Sequence, residues 1–128
     1  MISFEGFKPE DGSPLYYQIL RHIRRGIASG VIVDGDALPS RRVLSATLGI
    51  NPNTVQRAYS ELEEEGLVSN RSGAKSYVVL NADTVERVRR ELIESEARTL
   101  VGSLKKTGVT KDGAVELVER FWEEEEEL

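Results

Sequence analysis

The chain of 128 residues has no cysteine and only one histidine, His22. Without cysteine it cannot form a disulfide framework, a zinc ribbon, a thiolate nucleophile or an iron–sulfur cluster. A single histidine also excludes a histidine-rich metal site, and His22 is expected to pack as an ordinary helix residue. We therefore predict no metal and no cofactor.

Long apolar runs are also missing. No stretch approaches the roughly 18 consecutive apolar residues of a membrane span. The first ten residues lack the basic start and the apolar core of a signal peptide. We therefore expect a cytoplasmic protein without a membrane partner, whose 39% hydrophobic and 30% charged residues suit one compact domain, or a small domain with an appendage.

The excess of acid is confined to the last third of the chain. The net charge is −5, but residues 1–80 carry nine Lys or Arg and nine Asp or Glu, whereas residues 81–128 carry eight and thirteen. This balance argues against indiscriminate binding of polyanions. It leaves room for a local basic surface in the first part of the chain.

The first 30 residues predict an arm followed by a helix. Phe4 and Phe7 lie in a segment without periodicity, and they offer the arm two rings for contact with the domain. Ser13-Pro14 has the residue types of a helix start, with Ser13 as the N-cap. Apolar residues at spacings of four continue from Leu15 to Ile27, and Gly30 is expected to end the helix.

Two short helices are expected to follow at close spacing. Ser40 suits an N-cap for the first, which has Val43, Leu44 and Leu48 as its apolar residues and ends at Gly49. Asn51-Pro52 begins the second with a cap and a first-turn proline. This second helix places Val55, Ala58, Tyr59 and Leu62 towards a core and a polar set on the opposite face, as in a helix-turn-helix.

Two β-prone runs come next, Leu67–Asn70 and Tyr77–Leu80, with a polar glycine-containing turn between them. Three helices followed by a hairpin form a winged helix-turn-helix. From Asn81 to the end the pattern predicts two amphipathic helices that cannot hide all their apolar residues from water. We therefore expect a second copy of the same hairpin to cover them.

The predicted fold class is thus mainly α with a small β-hairpin wing. It comprises a winged helix-turn-helix domain over residues 1–80 and a helical-hairpin dimerisation tail over residues 81–128. The residues expected at the dimer contact are the following: Leu92, Leu100, Leu104, Leu117, Val118, Phe121 and Trp122.

The motifs of residues 13–67 resemble the winged helix-turn-helix domain of the GntR family of bacterial transcriptional regulators. These are Ser13-Pro14-Leu15-Tyr16 with Gln18-Ile19, Leu38-Pro39-Ser40, Arg42, Leu48-Gly49, Asn51–Val55, Arg57-Ala58-Tyr59, Leu62-Glu63 and Glu65-Gly66-Leu67. The run Asn51–Val55 and the short two-helix tail resemble the YtrA subfamily. The resemblance implies a homodimeric regulator that binds double-stranded operator DNA, often at a transporter operon. Our first hypothesis is a dimeric repressor or regulator that binds an inverted repeat.

A recognition helix presents short polar side chains and guanidinium groups at its first turns, which enter the major groove. Asn and Gln can pair with adenine, Arg with guanine, and Thr with phosphate or a thymine methyl group. Combined with the resemblance, this predicts a DNA-binding set spread over both helices and the wing: Ser40, Arg41, Arg42, Asn51, Asn53, Thr54, Gln56, Arg57, Arg71, Gly73 and Lys75.

Two positions depart from the family pattern. Arg41 stands where many members have glutamate, and Lys75 replaces the second glycine of the wing. We expect Arg42 to read a base and Arg41 to contact phosphate. The alternative is that one of these two arginines pairs with an acid such as Asp36.

Other functions remain as alternatives. Glu61–Glu65 contains four acids, but no nucleophile, histidine pair or metal cluster accompanies them, so we predict no enzyme. A winged helix can also serve as a protein-interaction module without direct DNA readout. A piece of a regulator fused to an aminotransferase-like domain is disfavoured, because residues 81–128 already form a capped helical unit. The sequence leaves the small-molecule effector unknown.

Overall fold

The computed structural model describes residues 1–70 and 75–126, the last two of these by their backbone alone. The described residues form the following elements in chain order: α1 (Leu15–Ser29), β1 (Ala37–Leu38), α2 (Arg41–Leu48), α3 (Pro52–Glu64), β2 (Val68–Asn70), β3 (Ser76–Val78), α4 (Ala82–Lys105) and α5 (Lys111–Glu126). The prediction of a mainly α chain with a small β-hairpin is confirmed.

Contacts divide the chain into two compact units, Met1–Leu92 and Ile93–Leu128. The expected boundary at residues 80/81 coincides with the start of α4, whereas the division of contacts falls about three helical turns later. The first turns of α4 belong to the first unit because Val88 is buried there. The Arg89 guanidinium also donates hydrogen bonds of 3.1 and 2.9 Å to the carbonyl oxygen of Ala28 in α1.

The core of the first unit is built around α1 and α3. The spacing of four in α1 buries Ile19, Ile23 and Ile27 on one face. The side chains of α3 that were predicted to face the core are all buried: Val55, Ala58, Tyr59 and Leu62. Leu44 of α2 and Leu67 belong to the same core, so the helix-turn-helix rests on α1.

The start of α1 differs from the prediction. The helix begins at Leu15 with Pro14 as its N-cap residue, and no side chain caps it. Ser13 therefore is not the N-cap. The buried Gln18 side chain instead donates to the carbonyl oxygens of Glu10 and Ser13, at 2.8 and 2.9 Å, and ties down the segment that enters the helix.

The N-terminal arm packs on the first unit through its apolar side chains. Ile2 and Phe4 are buried, and the Ile2 amide donates to the carbonyl oxygen of Ala37 at 2.8 Å. His22 lies with its ring centroid 4.5 Å from that of Phe4 and 5.5 Å from that of Phe7. Its Nε2 lies 2.9 Å from the carbonyl oxygen of Ser3, which can only accept the hydrogen bond. His22 is thus a packed helix residue.

The sheet has three antiparallel strands in the order β1-β3-β2. The hairpin of β2 and β3 was predicted, although both strands are shorter than expected. The strand β1, which pairs Ala37 with Tyr77 and Leu38 with Ser76, was expected only as an extended approach to α2. Because β1 leads into α2 through Pro39 and Ser40, the sheet connects the wing directly to the helix-turn-helix.

The second unit contains the rest of α4 and all of α5. Asn81 caps the start of α4, where its Oδ1 accepts from the Thr84 amide at 2.9 Å. Gly108 has a φ of +80° between the two helices, a conformation that favours glycine. The Thr110 hydroxyl caps α5 by accepting from the Gly113 amide at 3.1 Å.

Candidate nucleic-acid interface

The turn between α2 and α3 is fixed by local hydrogen bonds. Gly49 ends α2 with a φ of +67°. The buried Ser45 hydroxyl donates to the carbonyl oxygen of Ile50 at 2.6 Å, and the Ile50 amide donates back to the Ser45 carbonyl oxygen at 3.1 Å. This small side chain lets the helices approach while it satisfies the polar groups of the turn. The angle of α3 against α2 is therefore set by residues of the turn itself.

Two predicted DNA-binding residues are helix caps in the structure. The Ser40 hydroxyl accepts from the Val43 amide at 3.1 Å, and the Asn51 Oδ1 accepts from the Asn53 amide at 2.8 Å. These bonds satisfy backbone amides at the starts of α2 and α3, which would otherwise lack partners within the helix. Ser40 and Asn51 thereby fix where the first turns of both helices begin.

The outward face of α3 carries the predicted polar set. Asn53, Gln56 and Arg57 are exposed and Thr54 is half-buried, opposite the buried face of the helix. The Gln56 side-chain amide donates to the Ser60 hydroxyl at 2.9 Å. The structure therefore brings these four side chains together on one face of the second helix of the helix-turn-helix.

Arg57 is held against α1. Its guanidinium carbon lies 3.7 Å from the centroid of the Tyr16 ring, which is a close cation–π contact. Pro14, Leu15, Tyr16 and the first turns of α3 line the shallow groove at this place. The contact between Arg57 and Tyr16 was not predicted, because it joins residues 41 positions apart in the chain. The Tyr16 ring fixes the guanidinium next to Asn53 and Thr54.

Arg42 and Arg41 differ in their surroundings although they are neighbours. Arg42 is exposed at the start of α2. Arg41 turns back onto α3, where its Nη2 donates to Glu63 Oε1 at 2.9 Å and its guanidinium carbon lies 5.3 Å from the Tyr59 ring centroid. Pairing of one arginine with an acid was an alternative from the sequence. The acid is Glu63 rather than Asp36, whose carboxylate accepts from the Val33 amide.

Tyr59 lies under this arginine and is fully buried. Its hydroxyl donates to the carbonyl oxygen of Pro39 at 2.7 Å. Burial raises the pKa of the Tyr59 phenol far above its usual range, while the nearby charge of Arg41 lowers it to a smaller extent. The phenol therefore stays neutral and acts as a hydrogen-bond donor that joins α3 to the segment before α2.

The wing is described in part. Arg71 and Gly73 lie outside the described residues, and Lys75 is exposed next to β3. A groove between the start of α2 and this strand is lined by Ser40, Val43, Lys75 and Tyr77, among others.

Val43 was expected among the apolar contacts of α2 but is 51% exposed. The inner face of that short helix is formed by the buried Leu44 and Ser45 and by the half-buried Leu48.

The acids at the end of α3 lie away from the polar face at its start. Glu61 is about 12 Å from Asn53 along the helix axis at 1.5 Å per residue. Glu63 pairs with Arg41, and Glu65 forms an ion pair with Arg24 of α1. Two of the four acids therefore take part in contacts between helices. Among the residues that the structure describes, no group of three or more His, Cys, Asp or Glu side chains is arranged to hold a metal ion.

The second unit exposes apolar side chains along both helices. Of the predicted dimer residues, Leu92, Leu104 and Leu117 are half-buried in the single chain, whereas four are exposed: Leu100, Val118, Phe121 and Trp122. Ile93, Val101 and Val115 are exposed as well and were missing from the predicted set. Trp122 is 68% exposed, which is unusual for so large an apolar side chain. Within the described part of the chain, no helix is both long enough and apolar enough to cross a membrane.

Comparison with known proteins places this geometry in a family. Residues 15–78 match the model of the bacterial regulatory proteins of the gntR family. The chain is 32% identical over 114 residues to an uncharacterised HTH-type transcriptional regulator, YhcF from Bacillus subtilis, a match that covers 89% of this chain and 94% of YhcF. It is 40% identical over 76 residues to the HTH-type transcriptional repressor YtrA from the same organism, covering 59% of this chain and 58% of YtrA.

Solved structures agree with these matches. A GntR family transcriptional regulator from Listeria monocytogenes superimposes with a TM-score of 0.73 at 29% identity, covering 88% of this chain and 98% of that protein. YtrA from Sulfolobus acidocaldarius, a GntR-family transcription factor, gives a TM-score of 0.53 at 30% identity, and the match covers 90% of this chain and 93% of that protein. These relatives are named as transcription regulators rather than enzymes. The chain therefore belongs to the GntR family of bacterial regulatory proteins, carries that family's DNA-binding winged helix, and resembles YtrA proteins in sequence and structure, which supports the YtrA subfamily.

Proposed function

We propose that the protein is a homodimeric repressor that binds an inverted repeat in duplex DNA in the cytoplasm, without enzymatic activity. The observation that carries this proposal is the exposed face of α3, where Asn53, Gln56 and Arg57 lie side by side on the second helix of a helix-turn-helix. A major groove about 12 Å wide admits such a helix, and these side chains pair with base edges.

The other parts of the DNA interface follow from the same arrangement. Arg42 at the start of α2 and Lys75 beside β3 are exposed cations, and Lys75 lines a groove together with Ser40 and Val43 at the start of α2. We assign phosphate contact to Lys75 and base or phosphate contact to Arg42, with Arg71 and Gly73 of the wing as further contacts. Repression is proposed because the relative YtrA is named a repressor, and a transporter operon is proposed as the target from the resemblance to the family.

The tail over residues 81–128 is proposed as the dimerisation element. Its exposed leucine, valine, phenylalanine and tryptophan side chains form the kind of apolar surface that a second copy covers. Two copies related by a two-fold axis present two recognition helices, which explains why the DNA site should be an inverted repeat.

Selection of sequences from a random duplex pool by the purified full chain tests the proposed function. We expect enrichment of one inverted repeat. If the protein is a dimer in solution and still enriches no sequence, the proposal of sequence-specific binding fails. Capture of a protein partner by the same chain in that case favours the interaction-module alternative.

The affinity for the enriched duplex is expected to fall steeply with salt. Several Lys and Arg contacts per subunit release counterions, so the logarithm of the association constant decreases linearly with the logarithm of salt concentration. Fluorescence anisotropy between about 50 and 200 mM salt measures this slope. A slope near zero is incompatible with phosphate contacts by the winged helix.

Substitution of Arg57 tests base readout. Arg57→Ala should cost about 1–3 kcal/mol of binding free energy on the enriched duplex and should relax base preference at one position of each half-site. The affinities for cognate and scrambled duplexes, measured by anisotropy, distinguish base readout from phosphate contact. Arg90→Ala, which removes the same charge from an exposed position of α4, is the matched control. Equal losses on both duplexes would identify Arg57 as a phosphate contact.

A further inference from the structure

A chain of side-chain hydrogen bonds runs from α2 across α3 to the base of the wing. Glu63 Oε1 accepts from Arg41 Nη2 at 2.9 Å and from the Asn70 side-chain amide at 2.8 Å. Asn70 Oδ1 in turn accepts from the Ser76 hydroxyl at 2.6 Å. Asn70 and Ser76 face each other as a pair of β2 and β3. Glu63 therefore connects the first residue of α2 to the end of the paired hairpin.

The surroundings of Arg41 keep its guanidinium in this network. Its side chain is only 25% exposed, and its guanidinium carbon lies 5.3 Å from the centroid of the Tyr59 ring. If the Arg41 guanidinium moved away from Glu63, it would lose its carboxylate partner. Arg41 is therefore held within the protein and is not presented to the DNA. Its neighbour Arg42 has no such enclosure and is exposed.

The charge at this end of α2 explains why the acid is needed. Arg41 and Arg42 occupy the first turn, which contains no acidic residue. The start of a helix already carries partial positive charge, so two cations there are unfavourable. Glu63 supplies the negative charge from α3 and neutralises one of the two arginines.

We propose that Glu63 is a positioning residue of the DNA interface, which holds Arg41 away from phosphate and aligns the start of α2 with the base of the wing. Arg42 is then the cation of this turn that contacts phosphate, the role that the sequence suggested for Arg41. The inference rests on the proposed function, and it reassigns Arg41, which the sequence placed among the phosphate contacts. Two consequences can be measured separately: the number of phosphates contacted, and the preference for the cognate sequence.

The test uses the full chain, the duplex enriched by selection and a scrambled duplex of the same length. Arg42→Gln should reduce the salt slope by about 1.8 per dimer, since each subunit loses one phosphate contact worth about 0.9. Arg41→Gln should leave the slope unchanged and lower the ratio of cognate to scrambled affinity. A slope reduced by Arg41→Gln as much as by Arg42→Gln would overturn the proposal.

Release of Arg41 from Glu63 should change the salt slope in the opposite direction. Glu63→Gln should raise the slope by about 1.8 per dimer, which over a fourfold range of salt corresponds to roughly a tenfold larger change in affinity. It should also strengthen binding to the scrambled duplex. The double variant Arg41→Gln with Glu63→Gln should return the slope to that of the unmodified protein, because no released arginine remains.

Glu64→Gln is the matched control, since it removes the same charge from the next residue of α3, where the side chain is exposed. Equal effects of Glu63→Gln and Glu64→Gln would show a response to net charge and would refute the positioning role. Circular dichroism checks that each variant folds, and if Glu63→Gln does not, the comparison of Arg41→Gln with Arg42→Gln decides. Failure of the proposed function is distinguishable, because the unmodified protein then enriches no sequence.

Discussion

Replacing Phe121 and Trp122 together by aspartate is expected to turn a dimer into a monomer. Both side chains are exposed in the single chain, Phe121 by 46% and Trp122 by 68%. Aromatic side chains of this size bury about 150–250 Å² each at a contact, and a charged group in their place cannot be buried without a partner. Sedimentation equilibrium of the full chain measures the change in mass.

Loss of the dimer should weaken binding to an inverted repeat by about 10²–10⁴-fold, because the second recognition helix then no longer binds at a high effective concentration. Binding to a duplex with a single half-site should change little. The control Ser95→Asp with Ser103→Asp adds the same two charges at exposed polar positions of α4. A double aspartate variant that stays dimeric, or a control that dissociates equally, would contradict the assignment of the tail.

Truncation of Tyr59 is expected to have the largest effect on stability. The side chain lies on α3 and is fully buried, so Tyr59→Ala should lower the free energy of unfolding by about 3–5 kcal/mol, as other large-to-small aromatic substitutions do. Tyr59→Phe keeps the ring and removes only the 2.7 Å hydrogen bond to Pro39. It should cost about 0.5–1.5 kcal/mol.

Urea denaturation followed by circular dichroism measures both differences. Tyr17→Ala serves as the control, because Tyr17 is a half-buried tyrosine on α1. Its truncation should lower the free energy of unfolding clearly less than Tyr59→Ala does. A loss below about 1 kcal/mol for Tyr59→Ala would fall outside the range for buried aromatic residues. It would mean that the Tyr59 ring contributes little to the packing of α3.

The parts of the fold that were predictable from sequence depend on short-range chemistry. Ser40, Gly49 and Asn51-Pro52 mark helix ends through bonds and backbone angles within a few residues, and the structure places α2 and α3 between them. The polar face of α3 followed from helical spacing alone. The prediction of Ser13 as the N-cap was wrong. The residue types at Ser13 and Pro14 allow the helix to start at either position, and in the structure the Gln18 side chain donates to the carbonyl oxygens of Glu10 and Ser13 instead.

What the sequence could not show depends on contacts between distant residues. The strand β1 has two residues, and only its pairing with β3, about 40 positions away, makes it a strand. The partners of Arg41 and Arg57 likewise come from other helices, at Glu63 and Tyr16. The sequence is the same whether an arginine at such a position is free or paired, so these contacts are visible only in the three-dimensional structure.

The contact between Arg57 and Tyr16 has a thermodynamic consequence for recognition. A free arginine side chain loses rotamer freedom when it docks, at a cost of up to about 2 kcal/mol. The guanidinium of Arg57 already rests 3.7 Å from the Tyr16 ring centroid in the isolated chain. Part of this conformational entropy is therefore lost during folding rather than on the DNA. We expect a less unfavourable binding entropy for this protein, measured by calorimetry, than for its Tyr16→Ala variant, in which the same arginine must be ordered by the base it reads.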